Sequence, residues 1–420
     1  MNQGMTYLKP SVKGPSVTER LAMRVLFSCL SRIHHGNLTI KLPDGSVRRF
    51  GIEAAHPAAD LIVHIYRFFT KVVFGGEIGF GEAYSDGYWD SSDLVMLITL
   101  LIENNDVIND ATHSANFLTR AVQYLLHRLR DNTRSRAREN IRAHYDLGND
   151  FFSSFLDPTM MYSCAIFSTE HDSLEDAQKN KIGSIIKKAE IKEGDHVLEI
   201  GCGWGGFAIE AVRQTGCRMH CITLSQEQLE LARARIQEQG LSDRINLQLC
   251  DYREVNGTFD KIVSIEMLEA VGHKHFPSYF QTLNRCLKPD GVAVIQVITT
   301  PDQHYDEYCR RADWMQKYIF PGGHLPSLGA LVEAMKKYSS LCVEHVENIG
   351  KHYAATLRAW RERFESAWPT IERAGYREHF RRIWRYYLSI CEAGFQSRII
   401  NDLQIVFRRQ GPLTIARGIA

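Results

Sequence analysis

An α/β chain built round a doubly wound, Rossmann-like sheet, with a smaller N-terminal α+β domain, is predicted by three observations. The first is the run Val197-Leu-Glu-Ile-Gly-Cys-Gly-Trp-Gly-Gly-Phe207, where a short apolar segment meets Gly201, Gly203, Gly205 and Gly206 before a helical pattern begins. Strand, glycine turn and helix in that order present backbone N–H groups to a nucleotide, and the missing Cβ atoms let a ligand approach the main chain. The second is alternation. From about residue 143, strand-like and helix-like segments follow one another at spacings that fit right-handed βαβ crossovers. The third is length: 420 residues can bury a large core and fill two domains.

Composition narrows the function classes. A formal net charge of +1 leaves no global basic field for nucleic acid. The ten cysteines are scattered without a C-x-x-C pair, so neither a disulfide framework nor a metal centre is expected. With no secretory signal, reduced thiols point to a cytoplasmic protein. The longest apolar run, Leu94 to Ile102, is far shorter than a membrane span, so contact with a membrane would be peripheral, at its inner face. A homo-oligomer is compatible with all of this.

The first domain is expected over 1–135. Leu21 to Ile33 has helical spacing, and Leu38 to Phe50 reads as a hairpin turning at Pro43-Asp-Gly45. A segment Leu61 to Val73, a glycine-rich stretch Gly75 to Gly87, and helical patterns over Ser92 to Asn104 and Asn116 to Leu129 follow, before the charged stretch Arg130 to Arg142. The second domain is expected over 143–420. It contains helix Ser173 to Ala189, the central strand and helix, strand 217–222, helix Gln226 to Glu238, strands Ile245 to Leu249 and Lys261 to Ile265, helix Phe276 to Leu287, and strand Val292 to Val297 after the turn Lys288 to Gly291. Beyond an aromatic insertion, Pro301 to Leu325, come helix Leu328 to Lys337, strand Leu341 to Glu347, helices from about Ala354 to Arg373 and Tyr376 to Gln396, and strand Leu403 to Phe407.

Three features separate the glycine turn from a dinucleotide fingerprint. Glu199 precedes the first glycine by two residues, within reach of an amino or sulfonium cation. The next strand ends in Thr223-Leu224-Ser225 and lacks the acid that would grip an NAD ribose. An acid appears instead after the third strand, at Cys250-Asp251-Tyr252, beside an aromatic suited to stacking on adenine. Together they favour S-adenosylmethionine over NAD. Upstream lie His144-Tyr145-Asp-Leu-Gly-Asn-Asp150 and Met160-Met-Tyr162-Ser163-Cys164.

With Thr223-Leu-Ser-x-x-Gln228, Tyr318-Ile-Phe-Pro-Gly-Gly323 and Tyr386-Tyr-Leu-x-x-Cys391-x-x-Gly-Phe395, these segments occur in an order that resembles the cyclopropane-fatty-acyl-phospholipid synthases, strongly over about 143–409. The resemblance implies methyl transfer from S-adenosylmethionine to a cis double bond of an unsaturated phospholipid acyl chain at the membrane surface. It implies a carbocation, and ring closure on loss of a proton to bound bicarbonate. Set onto this sequence, it implies cofactor contacts from Tyr145, Tyr162, Ser163, Glu199, Gly201, Cys202, Gly203, Gly205, Thr223, Leu224, Ser225, Gln228, Asp251 and Tyr252. The bicarbonate pocket would use Cys164, Glu269 and Tyr353, and Cys391 matches a further active-site cysteine.

General chemistry agrees with these residue types. An alkene needs alignment with the methyl donor and exclusion of water rather than an activating base. Aromatic faces stabilise a cation by about 0.5–2 kcal/mol each, so Tyr305, Tyr308, Trp314, Tyr318 and Phe320 are candidate pocket walls. Taken singly, the two cysteines would be inert thiols and Tyr353 a packing residue. The arginine clusters Arg358 to Arg363 and Arg377 to Arg385 read as solvated helix faces or as contacts to phospholipid headgroups. Two departures from the family stand out: Glu269 is followed by Ala270 where His is usual, and Gln296 replaces a strand histidine. They open an alternative product, a methylene- or methyl-branched chain.

Overall fold

The computed structural model describes residues 14–106 and 147–409. The pattern over Asn116 to Leu129, the stretch Arg130 to Arg142, and Tyr145 lie outside the described residues. The chain divides into two compact units, Met1–Ala121 with Arg377–Ala393, and Val122–Tyr376 with Gly394–Ala420.

In the first unit α1 (Val17–Leu30) opens with a capping box, the Ser16 hydroxyl taking the Glu19 amide while the Glu19 carboxylate takes the Ser16 amide. The hairpin pairs β1 (Asn37–Lys41) with β2 (Val47–Gly51), and β3 (Ala58–Val63) joins β1 in parallel, with β4 (Trp89–Asp90) outside it. The glycine-rich stretch is helical: α2 (Arg67–Ser85) runs through it, kinked at Gly76, whose φ is +56°. Glycine is needed at Gly79 because a Cβ there would strike the Lys71 carbonyl across the kink. Helix α3 (Leu94–Glu103) starts at Asp93, which caps the Met96 amide.

The segment Arg377–Ala393 departs from the expected division, which placed all of 143–420 in one domain. Arg382 explains where it belongs. Its guanidinium donates to the carbonyls of Tyr84 (2.6 Å) and Trp89 (2.7 Å) and to Asp90 (2.8 Å), and lies 4.1 Å from the centre of the Tyr84 ring. Tyr386 packs on the same Tyr84 ring at 5.6 Å.

The second unit holds a seven-stranded sheet. Strands β5 (His196–Ile200), β6 (Arg218–Thr223), β7 (Ile245–Leu249), β8 (Phe259–Ile265) and β9 (Leu287–Thr299) are parallel, and β10 (Leu341–Asn348) and β11 (Asn401–Arg409) complete the order β10-β11-β9-β8-β5-β6-β7 with antiparallel pairing. The expected turn at Lys288 to Gly291 is absorbed into β9, where the register with β8 shifts between Phe259 and Lys261. Between the strands lie α5 (Leu174–Ala189), α6 (Gly206–Thr215), α7 (Gln226–Glu238) and α8 (Phe276–Cys286), preceded by the short α4 (Asn149–Ser153). The insertion contributes α9 (Asp302–Tyr308) and α10 (Trp314–Tyr318); α11 (Leu328–Tyr338) and α12 (Gly350–Arg373) follow, and α13 (Glu378–Gln396) lies in the first unit as far as Ala393.

Side-chain alternation along β5 shows why both faces are covered. Leu198 and Ile200 enter one apolar cluster with Tyr279, Phe280 and Leu283 of α8. Val197 enters the opposite cluster with Ile182 and Ile185 of α5 and Phe207 of α6. A strand buried on both sides reads as a continuous apolar run, and the carboxyl ends of such strands are where ligands bind.

Candidate active site

The glycine turn after β5 follows its sequence. Gly201, Gly203 and Gly205 have φ of +84°, +51° and +79°, a region closed to most side chains. The amides of Gly201 and Cys202 both donate to the Ile222 carbonyl at 3.0 Å, tying the turn to the end of β6. A Cβ on Gly203 would meet nothing within 4 Å, so the space beside the turn is open there, whereas one on Gly201 would strike Met267 at 2.6 Å. Thr223 donates to Gln228 at 2.9 Å, and Ser225 caps α7 through the Gln228 amide, with Leu224 half-buried between them. These residues follow directly on Ile222, whose carbonyl anchors the turn.

Glu199 is buried, with the Cys221 thiol donating to it at 3.4 Å, and burial pushes its carboxyl up to about 8. The carboxyl of Asp251 is held twice by Arg253, at 2.8 and 2.6 Å. Tyr252, expected against an adenine, is part of the core: its hydroxyl is 3.2 Å from Ser278 and its ring stands edge-on to Tyr279.

Tyr162 lies among Phe152, Phe155 and Trp360, ring centres 5.2–6.2 Å away. The neighbouring Ser163 hydroxyl accepts from the Lys181 ammonium at 2.6 Å. Lys181 is fully buried, and desolvation pulls its pKa down to about 8 against the attraction of Glu266, Cys164, Asp402 and Asp157.

Beside this cation sits a cluster centred on Glu266. Its Oε1 accepts from the Cys164 amide at 2.7 Å and from Gln296 Nε2 at 2.8 Å, and its Oε2 accepts from the Tyr353 hydroxyl at 2.5 Å. Gln296 also donates to Asp402 at 3.0 Å and accepts from Gln404 at the same distance. Burial raises the Glu266 pKa, opposed by Tyr353, the Cys164 amide, Lys181 and Gln296. Asp402 is pushed well above the ordinary carboxylate range, by burial first and then by Glu266 and Glu269, and its Oδ1 has no hydrogen-bond partner. The Cys164 thiol is pushed well up by burial and these same acids and donates to the Ala165 carbonyl at 3.3 Å.

Sequence reasoning placed Glu269 with Cys164 and Tyr353, and it missed Glu266. Glu269 stands in the 3₁₀ turn Leu268–Ala270, where its Oε1 accepts the Ile298 amide at 2.6 Å. Its other oxygen is buried without a partner, and burial next to Glu266 pushes its pKa up to about 8. The signal available was the spacing Glu266-x-x-Glu269 directly after β8. Cys391 is half-buried on α13, in the segment that belongs to the first unit.

In the insertion, the Tyr308 hydroxyl accepts from Leu325 N and Gln316, and the Tyr305 hydroxyl lies 2.6 Å from His273 Nδ1 and 3.0 Å from His324 Nε2. These two tyrosines hold the insertion together through their hydroxyls. With Cys309, the two histidines form a group of metal-ligating type among the described residues, joined here through Tyr305.

Residues 132–405 match the family model described as mycolic acid cyclopropane synthetase. The chain belongs to that family. It is an S-adenosylmethionine-dependent methyltransferase of the cyclopropane-fatty-acyl-phospholipid synthase type. It is 40% identical over 344 residues to tuberculostearic acid methyltransferase UfaA1 of Mycobacterium tuberculosis, covering 80% of each chain. It is 38% identical over 363 residues to cyclopropane-fatty-acyl-phospholipid synthase of Escherichia coli, covering 86% of this chain and 91% of the relative. Its fold matches the cyclopropane synthase CmaA1 solved with SAH and CTAB at TM-score 0.60 and 30% identity, over 65% of this chain and 98% of that one. Within this cyclopropane synthetase frame, the glycine turn with Thr223, Ser225 and Gln228 fits the methyl donor.

Proposed function

We propose that this methyltransferase adds one carbon from S-adenosylmethionine to a cis double bond in an unsaturated phospholipid acyl chain. The observation that carries the reading is the pairing of a silent thiol with a buried proton acceptor. Cys164 is held protonated, while Glu266 gathers three donors beside it. Such a site suits a substrate whose own π pair attacks, and which must afterwards lose a proton. S-adenosylmethionine, when bound, supplies an electrophilic methyl. The glycine turn, Tyr162, Ser163 and the Thr223–Gln228 edge would hold it, and the buried surroundings of Glu266 keep water from trapping a cation.

The cyclopropane product requires the transferred methyl to lose its proton as the ring closes. A second reading, a methylene-branched chain, is favoured by Glu266 and by the 40% identity to a relative named for tuberculostearic acid. A tethered carboxylate committed to three donors is a weaker acceptor than a free anion. The cation then has time for a hydride shift to the more substituted carbon before the methyl proton leaves. A saturated methyl branch would need a separate reduction.

No helix among the described residues is long and apolar enough to cross a membrane. Access to phospholipid in this reading is by peripheral contact at the inner face, by this chain alone or as a homo-oligomer. The experiment is lipid mass spectrometry and proton NMR of cells expressing the protein with labelled methionine. A labelled CH2 gain in phospholipid acyl chains supports the reading, and its absence sinks it. Cyclopropane ring protons or the vinyl protons of a C=CH2 branch then tell the two products apart.

A further inference from the structure

Bicarbonate is the group implied by the family resemblance that these residues do not fit. Two of its three expected partners, the Cys164 amide region and Tyr353, are committed to Glu266 at 2.7 and 2.5 Å. Gln296, standing where the family carries histidine, donates to the same carboxylate at 2.8 Å. Two oxygens on a planar carbon thus already take three donors, as those of a small oxyanion would. A bicarbonate in that seat would have to displace a covalently tethered anion, with Glu269 and Asp402 adding further acids around it.

The backbone is shaped to the same end. Glu266 has φ +47°, which costs a non-glycine residue roughly 1–2 kcal/mol. The turn is pinned by the Glu266 amide, which donates to the Gln296 carbonyl at 2.8 Å. Strain of this kind persists where surrounding contacts over-determine it, and it clusters at functional sites.

We propose that Glu266 replaces the bicarbonate ion: its tethered carboxylate fills the anion seat and is the base that takes the proton from the methylated acyl chain. The step balances without another reagent. A C–H bond of the transferred methyl breaks, and its electron pair closes onto the cationic carbon, or becomes the second bond of a C=CH2 branch after a hydride shift. The proton passes to a Glu266 oxygen and then to solvent. The proton-transfer half of this proposal rests on the substrate reading above; the occupied seat does not.

The test uses the full-length protein in carbonate-free buffer, with two readouts: methylation of unsaturated phospholipid vesicles, and titration with 13C-bicarbonate followed by NMR. Wild type is expected to turn over at the same rate with or without bicarbonate and to show no saturable binding. Glu266→Gly suits the left-handed backbone and empties the seat; it should lose activity by about a hundredfold, bind bicarbonate, and recover when bicarbonate is added. Glu266→Gln keeps the seat full without a base, so it should lose activity by a similar factor and not be rescued. That contrast separates a base from a merely structural residue. Saturable bicarbonate binding or activation in wild type would overturn the proposal, as would an undiminished rate in Glu266→Gln. If wild type methylates no unsaturated lipid, the substrate reading fails alone, and the NMR titration of wild type still decides the seat. Should Glu266→Gly not fold, the wild-type titration and Glu266→Gln decide it.

Discussion

Tyr353 and Glu266, 87 residues apart in the chain, meet through a 2.5 Å hydrogen bond from phenol to carboxylate. Tyr353 comes from the first turn of α12, and its ring is stacked on Phe395 at 4.3 Å, which fixes where the hydroxyl points. Removing this donor should act on chemistry more than on folding. Tyr353→Phe forfeits a bond to charge worth about 1.5–3 kcal/mol, or very roughly ten- to a hundredfold in rate. Tyr353 lowers the Glu266 pKa, so its loss raises that value further and the ionised base appears only at higher pH. The alkaline displacement of the rising limb in a kcat/KM profile is the measurement, and an unmoved limb would separate Tyr353 from the base.

Glu199 gives a pH prediction of its own. Burial holds its pKa near 8 in the folded protein against an ordinary value of 4.5. Between those values the unfolded chain has released the proton while the folded chain keeps it, so this group costs the folded state stability as pH rises. Glu199→Gln removes the term. Melting temperatures of variant and wild type should agree near pH 5 and diverge in the variant's favour by pH 8, by on the order of a few degrees. A constant difference across that range would count against a buried neutral Glu199.

Two glycines of the turn should fail in different ways. A Cβ on Gly206 would collide with the Thr159 carbonyl and lie 3.0 Å from Met161 Sδ, whereas one on Gly203 meets open space. Gly206→Val should therefore lower the melting temperature. Gly203→Val, at a backbone cost of roughly 1–2 kcal/mol, should fold and lose affinity for S-adenosylmethionine in calorimetry. Undiminished affinity in a folded Gly203→Val protein would remove the glycine turn from the cofactor site.

Arg382 tests the division of the chain. Arg382→Ala removes three donated hydrogen bonds, to the Tyr84 and Trp89 carbonyls and to Asp90, at about 0.5–1.5 kcal/mol each, because Asp90 keeps His64 and the Tyr84 carbonyl keeps the Gly87 amide. Hydrogen exchange should accelerate across Arg377–Ala393 and around Tyr84. Arg382→Lys should not restore protection, because one ammonium cannot reproduce a fork that spans three acceptors. Unchanged exchange in that segment would detach it from the first unit.

The local grammar of the chain was legible without coordinates. Apolar alternation and helical periodicity located the sheet strands within a few residues, from β5 to β11, and Ser173, Ser225 and Ser327 each cap the helix whose start they mark. The glycine turn needed only the absence of side chains to be recognised. Gly75 to Gly87 carried no assignment from the sequence, and its glycines, which normally break a helix, here let two helical segments pass close to one another across a kink.

The active-site cluster was a different matter. Glu266 and Glu269 carry the same local signal, two acids three residues apart after one strand, and period or propensity cannot rank them. What separates them is a left-handed backbone at Glu266 and donors from 30, 87 and 102 residues away. The sequence by itself determined the sheet, the glycine turn and the family, because those rest on short-range spacing. Only the tertiary structure decided which acid gathers the three donors, because a buried carboxylate is defined by the donors that long-range packing brings to it.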